Sequence, residues 1–269
     1  MATSIAANAW IDPQAEIDEE VEIGPFCNIG AGIKIGRGTR LISHVNLMGN
    51  STLGCNNLIY PNVVIGADPQ DTSYCGTESC VQIGDNNTLR EGVTINRGTD
   101  KEDGITRLGD HNYLMANSHV AHDCKLGNHV LVANGSLLAG HVHVHDHASI
   151  SGNSAIHHYV SIGSYCFVAA MCKVLHDAPP YMLVEGIPAR PRCINIVAMK
   201  RNDFSREVID ALAAAHRLLY RTKVGVQHAR EILQSNEQMS NEVENLLTFV
   251  EGQLEGQHGR RRELVRKAA

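Results

Sequence analysis

The stretch EIGPFCNIGAGIKIG, residues 22–36, sets Ile23, Ile29 and Ile35 six residues apart, with glycine after each at 24, 30 and 36. Read in both directions, the same register gives Ile5, Ile11, Ile17, Ile23, Ile29, Ile35, Leu41, Leu47, Leu53, Ile59 and Ile65, without one exception. It resumes at Ile83, Leu89 and Ile95, slips across 96–107, and runs again from Leu108 through Leu114, Val120, Leu126, Val132, Leu138, Val144, Ile150, Ile156, Ile162 and Val168 to Val174. A period of six is neither the 3.6 of an α-helix nor the simple alternation of a half-buried strand. It is the signature of a parallel β-helix, in which each short strand turns one aliphatic side chain inward before a corner. Three faces make a coil of about 18 residues, and coils stack at the ordinary strand spacing of ~4.8 Å. Residues 5–174 then form about nine coils. A prism filled by small aliphatics has little room for rings, in keeping with an aromatic content of 4%.

Two polar stretches interrupt the period, one near 67–80 (ADPQDTSYCGTESC covers 67–80) and one at 96–107 (NRGTDKEDGITR). Both read as loops leaving the prism, and loops on a rigid scaffold are where binding residues gather. Beyond Val174 a proline-rich exit leads to helical periodicity from Ser205, a candidate N-cap, with further helices near 224–236 and 239–254. The expected organisation is a β-helix over 1–188 and a helical domain over 189–269, whose basic end GRRRELVRK reads as a solvated terminus.

The net charge of −6 argues against a nucleic-acid binder. No stretch reaches the roughly 20 apolar residues of a membrane span. The start MATSIAANAWIDPQ has neither the cationic head nor the apolar run of a secretory signal. Eight cysteines without a CxxC pair suggest neither a zinc framework nor a disulfide scaffold, and they suit a reducing cytoplasm.

The stretch HVAHDCKLG, 119–127, can now be placed. Residues 18 apart lie one above another, so His122, Gly140 and His158 form one column and Asp123, His141 and Tyr159 the next. Between His122 and His158 the glycine leaves a gap that a substrate group could enter, with the Gly140 N–H facing it. A histidine beside an aspartate suits acid–base chemistry. The alternatives are a solvent-exposed histidine ladder, favoured for His143, His145 and His147, and a metal site, which would need ligands converging at ~2.1 Å. HVAHDC lacks the ligand spacing of the zinc-binding gamma-class carbonic anhydrases, so no metal is expected.

Over nearly its whole length the chain resembles the acyl-carrier-protein-dependent UDP-N-acetylglucosamine O-acyltransferases, which start lipid A synthesis. The resemblance is carried by IGPFCNIG (23–30), PQD (69–71), GVTINRGT (92–99), HVAHDC (119–124), LLAGHV (137–142), AIHHYVSIG (155–163), DAPPYMLVEG (177–186) and NIVAMKRNDFSRE (195–207). It implies a left-handed β-helix, a homotrimer with sites between subunits, and no cofactor, since the thioester brings its own activation. It also implies roles. His122 would be the general base on the sugar 3-hydroxyl, Asp123 its orienting group, and the Gly140 N–H the oxyanion donor. Gln70, Asp71, His119, His141 and His157 would contact the nucleotide sugar, and Asn195 and Arg201 its uracil or phosphates. Ala170, with Met171 beside it, would form the floor that sets acyl length. The chain departs from the family pattern at Ser73, Asn96, Val197 and Asn202, all in the shell that grips the nucleotide.

The function expected is therefore transfer of a 3-hydroxyacyl chain from acyl-carrier protein to UDP-N-acetylglucosamine. The alternatives are N-acylation of a 3-amino UDP-sugar and a non-catalytic hexapeptide trimer. Because the carrier is acidic, its docking face is expected at Lys173, Arg190, Arg192, Lys200, Arg201 and Arg206.

Overall fold

The structure, a computed structural model, describes residues 2–255 and 259–263. Strands β1 (Ser4–Ile5) to β26 (Lys173–Val174) follow one another round a three-sided prism, and every third strand pairs in parallel. The three faces hold eleven, nine and eight strands. Register is strict: Ile23 stands on Ile5 and below Leu41, and Leu138 stands between Val120 and Ile156. The period-six positions are the core. From Ile23 to Val174 they are buried, each contributing about 1.5–3 kcal/mol of apolar transfer. Ile5, in the first coil described, is 48% exposed.

Residues 18 apart pair wherever the coils are uninterrupted, as Lys125↔His143 and His143↔Ser161 show. Across the two polar stretches the offset grows to 30 (Thr52↔Gln82, Leu58↔Thr88) and then to 25 (Gln82↔Arg107). Both extra segments leave at the same corner, between the nine-stranded and eight-stranded faces: one joins β11 (Val64–Ala67) to β12 (Cys80–Ile83), the other β14 (Thr94–Asn96) to β15 (Ile105–Leu108).

The proline-rich exit is not irregular throughout. β27 (Met182–Gly186) extends the eleven-stranded face and forms an antiparallel hairpin with β28 (Ala189–Ile194), so the expected 188/189 boundary falls at the hairpin's turn. Among the described residues four α-helices follow: α1 (Ile196–Arg201), α2 (Arg206–His216), α3 (Val226–Ser235) and α4 (Asn241–Glu255), with a π-helical turn at Arg217–Thr222 after α2. Ser205 caps α2 through its hydroxyl, which accepts from Val208 N, as its position suggested. The segment Gly259–Glu263 corrects the expectation of a solvated terminus. Gly259 is buried, and Arg260 N donates to the Asp177 carboxylate at 3.1 and 3.2 Å. Arg261 and Arg262 belong to this described segment, and residues 264–269 lie outside it.

Candidate active site

The corner from which both loops depart carries the histidine column. His122 and Asp123 follow β17 (His119–Val120), and Asp123 takes a left-handed conformation, φ +59°. Adjacent residues seldom face each other, but this turn brings Asp123 Oδ2 to 2.8 Å from His122 Nδ1. The Asp123 side chain is wholly buried, and a buried carboxylate needs partners. It has them: Thr99 donates its N–H to Oδ1 (2.9 Å) and its hydroxyl to Oδ2 (2.6 Å). Thr106 Oγ1 accepts from Asp123 N at 2.8 Å. The imidazole therefore gives its Nδ1 proton to a fixed acceptor, and Nε2 is left with a lone pair.

Gly140 lies one coil above. A Cβ built there would stand 2.6 Å from His122 Cε1 and 2.7 Å from Nε2. The gap expected between two imidazoles is thus filled by the His122 ring itself, which only a residue without a side chain admits. The Gly140 N–H has no acceptor among the described residues. His141 N donates to His122 O (3.0 Å), its ring meets the His122 ring edge-on at 5.2 Å, and it stacks on Tyr159 at 4.4 Å.

The loops close over this corner. Asp71 pairs with Lys101 of the second loop and accepts from the Ser73 N–H and hydroxyl, and together these hold its carboxyl well below the usual carboxylate range. Gln70 is exposed beside it. Asn96 is buried and donates to Asp68 O at 2.7 Å, tying one loop to the other. Glu102 accepts from His141 Nδ1 at 3.0 Å. Burial opposes the charged form of Glu102, yet the hydrogen bond from His141 and the charges of His141, Lys125 and Arg262 bring its carboxyl down to about 2. His119, bonded through Nδ1 to Thr94 Oγ1 (2.7 Å), has its pKa lowered by burial and by His122. His157 lies against His158, ring centres 3.8 Å apart.

His122, Asp123, Gly140, Asp71, His119, His141 and His157 therefore share one corner. Asn195 and Arg201 do not. They line a cavity of about 410 Å³ on the eleven-stranded face with Leu131, Phe167 and Val197, away from His122 in the same chain. Both ends of the Asn195 amide are engaged, capping α1 at Ala198 N and donating to Tyr165 O. Asn202, at the C-cap of α1, donates to Ala198 O, and Ser73 and Val197 are exposed. Ala170 and the 71%-exposed Met171 sit at the next corner round, between the eleven- and nine-stranded faces. Lys173, Arg190, Arg192, Lys200 and Arg206 are exposed, with Arg192 near Glu185 (3.9 Å) and Arg206 paired with Asp210 (3.1 Å).

His122, Asp123 and His141 bring metal-capable atoms within 4.8 Å of one another. The Asp123 oxygens already accept from Thr99 and His122, so the cluster is a hydrogen-bonded chain. His147 belongs to a stacked ladder at the third corner, His111–His129–His147–Tyr165, with centres 4.6–4.8 Å apart. His143 contacts Arg262, and burial followed by that guanidinium's charge pushes its pKa down to about 3. Sequence reasoning missed Thr99, Glu102, Thr106 and Arg262. Thr99 stood within a quoted motif, but the others had no local signal.

A prism of stacked hexapeptide coils is the architecture of the bacterial hexapeptide transferases. Profile matches agree: residues 105–140 match the bacterial transferase hexapeptide repeats, and residues 177–260 match domain 2 of UDP N-acetylglucosamine O-acyltransferase. An acyl-[acyl-carrier-protein]–UDP-N-acetylglucosamine O-acyltransferase of Halorhodospira halophila is 43% identical over 94% of this chain and 98% of its own. One from Syntrophobacter fumaroxidans is 47% identical over 77% of this chain and 81% of its own. Among solved structures, LpxA, a UDP-N-acetylglucosamine acyltransferase from Bacteroides fragilis, superposes with a TM-score of 0.88 at 36% identity, covering 92% of this chain and 96% of that one. The chain belongs to the family of UDP-N-acetylglucosamine O-acyltransferases, and its fold is their left-handed parallel β-helix.

Proposed function

We propose that the protein transfers a 3-hydroxyacyl chain from acyl-carrier protein to the 3-hydroxyl of UDP-N-acetylglucosamine, the first step of lipid A synthesis. The observation that carries this reading is the His122–Asp123 pair, its ring set over Gly140, whose N–H has no acceptor among the described residues, at a corner roofed by two loops. His122 Nε2 takes the proton of the sugar hydroxyl as its oxygen attacks the thioester carbon. Asp123 holds the ring and balances the imidazolium that forms. The new C–O bond makes a tetrahedral oxyanion, which the Gly140 N–H meets; such donors are usually the largest electrostatic contribution to acyl transfer. Collapse breaks the C–S bond, and the imidazolium returns its proton to the departing thiolate.

Asp71, Gln70, His119, His141 and His157 hold the sugar in this reading, and Lys101 stands beside Asp71 where Ser73 brings no charge. Asn195 and Arg201 lie on another face, which supports a homotrimer in which a neighbouring subunit brings them to the corner. Ala170 and Met171 floor the acyl groove in this reading, and the carrier docks on Lys173, Arg190, Arg192, Lys200 and Arg206. Free cysteines throughout the described chain fit a cytoplasmic enzyme, and no described helix is long and apolar enough to cross a membrane. Incubation with 3-hydroxyacyl-carrier protein and UDP-N-acetylglucosamine tests the reaction: an O-acylated sugar nucleotide is expected. Product formed only with the 3-amino sugar would assign N-acylation instead.

A further inference from the structure

Residues 259–263, beyond α4, lie against the coils at the active corner. Arg262 Nη2 donates to the carbonyls of His141 (2.6 Å) and Tyr159 (3.2 Å), Nη1 lies 2.9 Å from His143 Nε2, and the guanidinium sits over the Tyr159 ring at 5.6 Å. The same Nη1 lies 3.7 Å from Glu102 Oε1, the oxygen that accepts from His141 Nδ1. Lys125 adds a second cation 3.4 Å from the other Glu102 oxygen. His141 is thus fixed on every side: its N–H by His122 O, its carbonyl by Arg262, its ring by Tyr159 and Glu102. Arg262 is only 16% exposed and Glu102 20%. A desolvated guanidinium placed on two carbonyls of successive coils is an unusual use for a chain end, and the carbonyl of His141 is the one that follows Gly140.

We propose that Glu102 and Arg262 act together as a positioning latch, which closes the C-terminal segment on the active corner and orients His141 toward the acceptor sugar. The hydrogen bond to Glu102 places a His141 ring proton on Nδ1, and the other ring nitrogen, Nε2, stands 3.7 Å from Asp123 Oδ2, so the latch sets the ring between the two carboxylates at the site. Arg262 fixes the backbone from which that ring projects, and with it the strand corner bearing Gly140. Neither residue touches the reacting atoms. The kinetic consequence rests on the acyl-transfer reading; the His141 Nδ1 proton rests on geometry alone.

The test compares Glu102→Ala, Arg262→Ala and their double variant, with Glu102→Gln and Arg262→Lys as conservative partners. Either alanine is expected to raise the KM for UDP-N-acetylglucosamine about tenfold, the loss of one hydrogen bond to a charged group. The KM for the carrier protein should stay unchanged. The double variant should be no worse than the worse single one, because both act through His141, and Gln and Lys should recover part of the loss. In parallel, histidine-selective 15N NMR should report a protonated Nδ1 on His141 in the wild type, lost or mixed in Glu102→Ala. Additive effects in the double variant, or a wild-type His141 protonated on Nε2 only, would overturn the latch. Should the wild type transfer no acyl group, the reaction would fall, while the His141 tautomer would still decide the latch.

Discussion

The His122 ring occupies the space that a side chain at Gly140 would fill, 2.6 Å from where its Cβ would stand. Gly140 does not have a positive φ, so its backbone accepts alanine without strain of its own. The cost of Gly140→Ala falls on the neighbouring imidazole. The variant is expected to fold and to lose about a hundredfold in kcat, the scale of a 1 Å misplacement of a reacting group. Thermal melting beside single-turnover rates checks this, and an active, fully folded variant would mean that the ring stands elsewhere.

Thr99 supplies two of the donors that keep the Asp123 carboxylate content in a wholly buried place. Thr99→Val keeps the shape and removes the hydroxyl. It should cost about 1–3 kcal/mol of stability, the penalty of a buried acceptor left short, and slow acyl transfer, whereas Thr99→Ser should restore both. Urea midpoints and rates measured on the three proteins decide it.

His143 has its pKa lowered to about 3 by burial and by Arg262. An unfolded histidine titrates near 6.5, so between those values the unfolded chain binds a proton that the folded one refuses. Stability should therefore fall as pH drops from 6.5 toward 3, by at most one proton's slope from this residue. His143→Gln should flatten that part of the profile of urea midpoint against pH. An unchanged slope would show that His143 accepts its proton in the folded state.

Exposed cations at Arg190 and Arg192 meet an acidic carrier in this account. Reversing both to glutamate should raise the carrier-protein KM and weaken its salt dependence, since exposed charges are screened beyond about 10 Å at 0.1 M salt. The KM for the sugar should not change. Steady-state kinetics at two ionic strengths separates these outcomes, and an unaffected carrier KM would move the docking face.

What the sequence discloses and what it hides follow from distance along the chain. The prism is legible because the same inward residue recurs at Ile23, Ile29 and Ile35 and onward, so each coil repeats the evidence of the last. Stacking by 18 then placed Asp123 beneath His141 and His122 beneath Gly140 without any structure. The α2 helix is legible from Ser205 and the spacing of Val208 and Leu212. The β27–β28 hairpin is not, since its prolines suggested irregular chain, and α1 is too short for a period to show. Glu102 reaches His141 across 39 residues and Arg262 reaches it across 121. No local pattern encodes contacts made by a loop and a distant segment, and so the described part of a basic tail that looked solvated, residues 259–263, proves to be packed on the site.

The central claim is that His122 is the base. The direct measurement is acyl transfer from 3-hydroxyacyl-carrier protein to UDP-N-acetylglucosamine by the wild type and His122→Ala, side by side, with folding checked by thermal melting. The account predicts a fall of about 10²–10⁴-fold, the usual contribution of a positioned general base, at unchanged fold. A variant that retains the wild-type rate would contradict it and require a different proton acceptor at this corner.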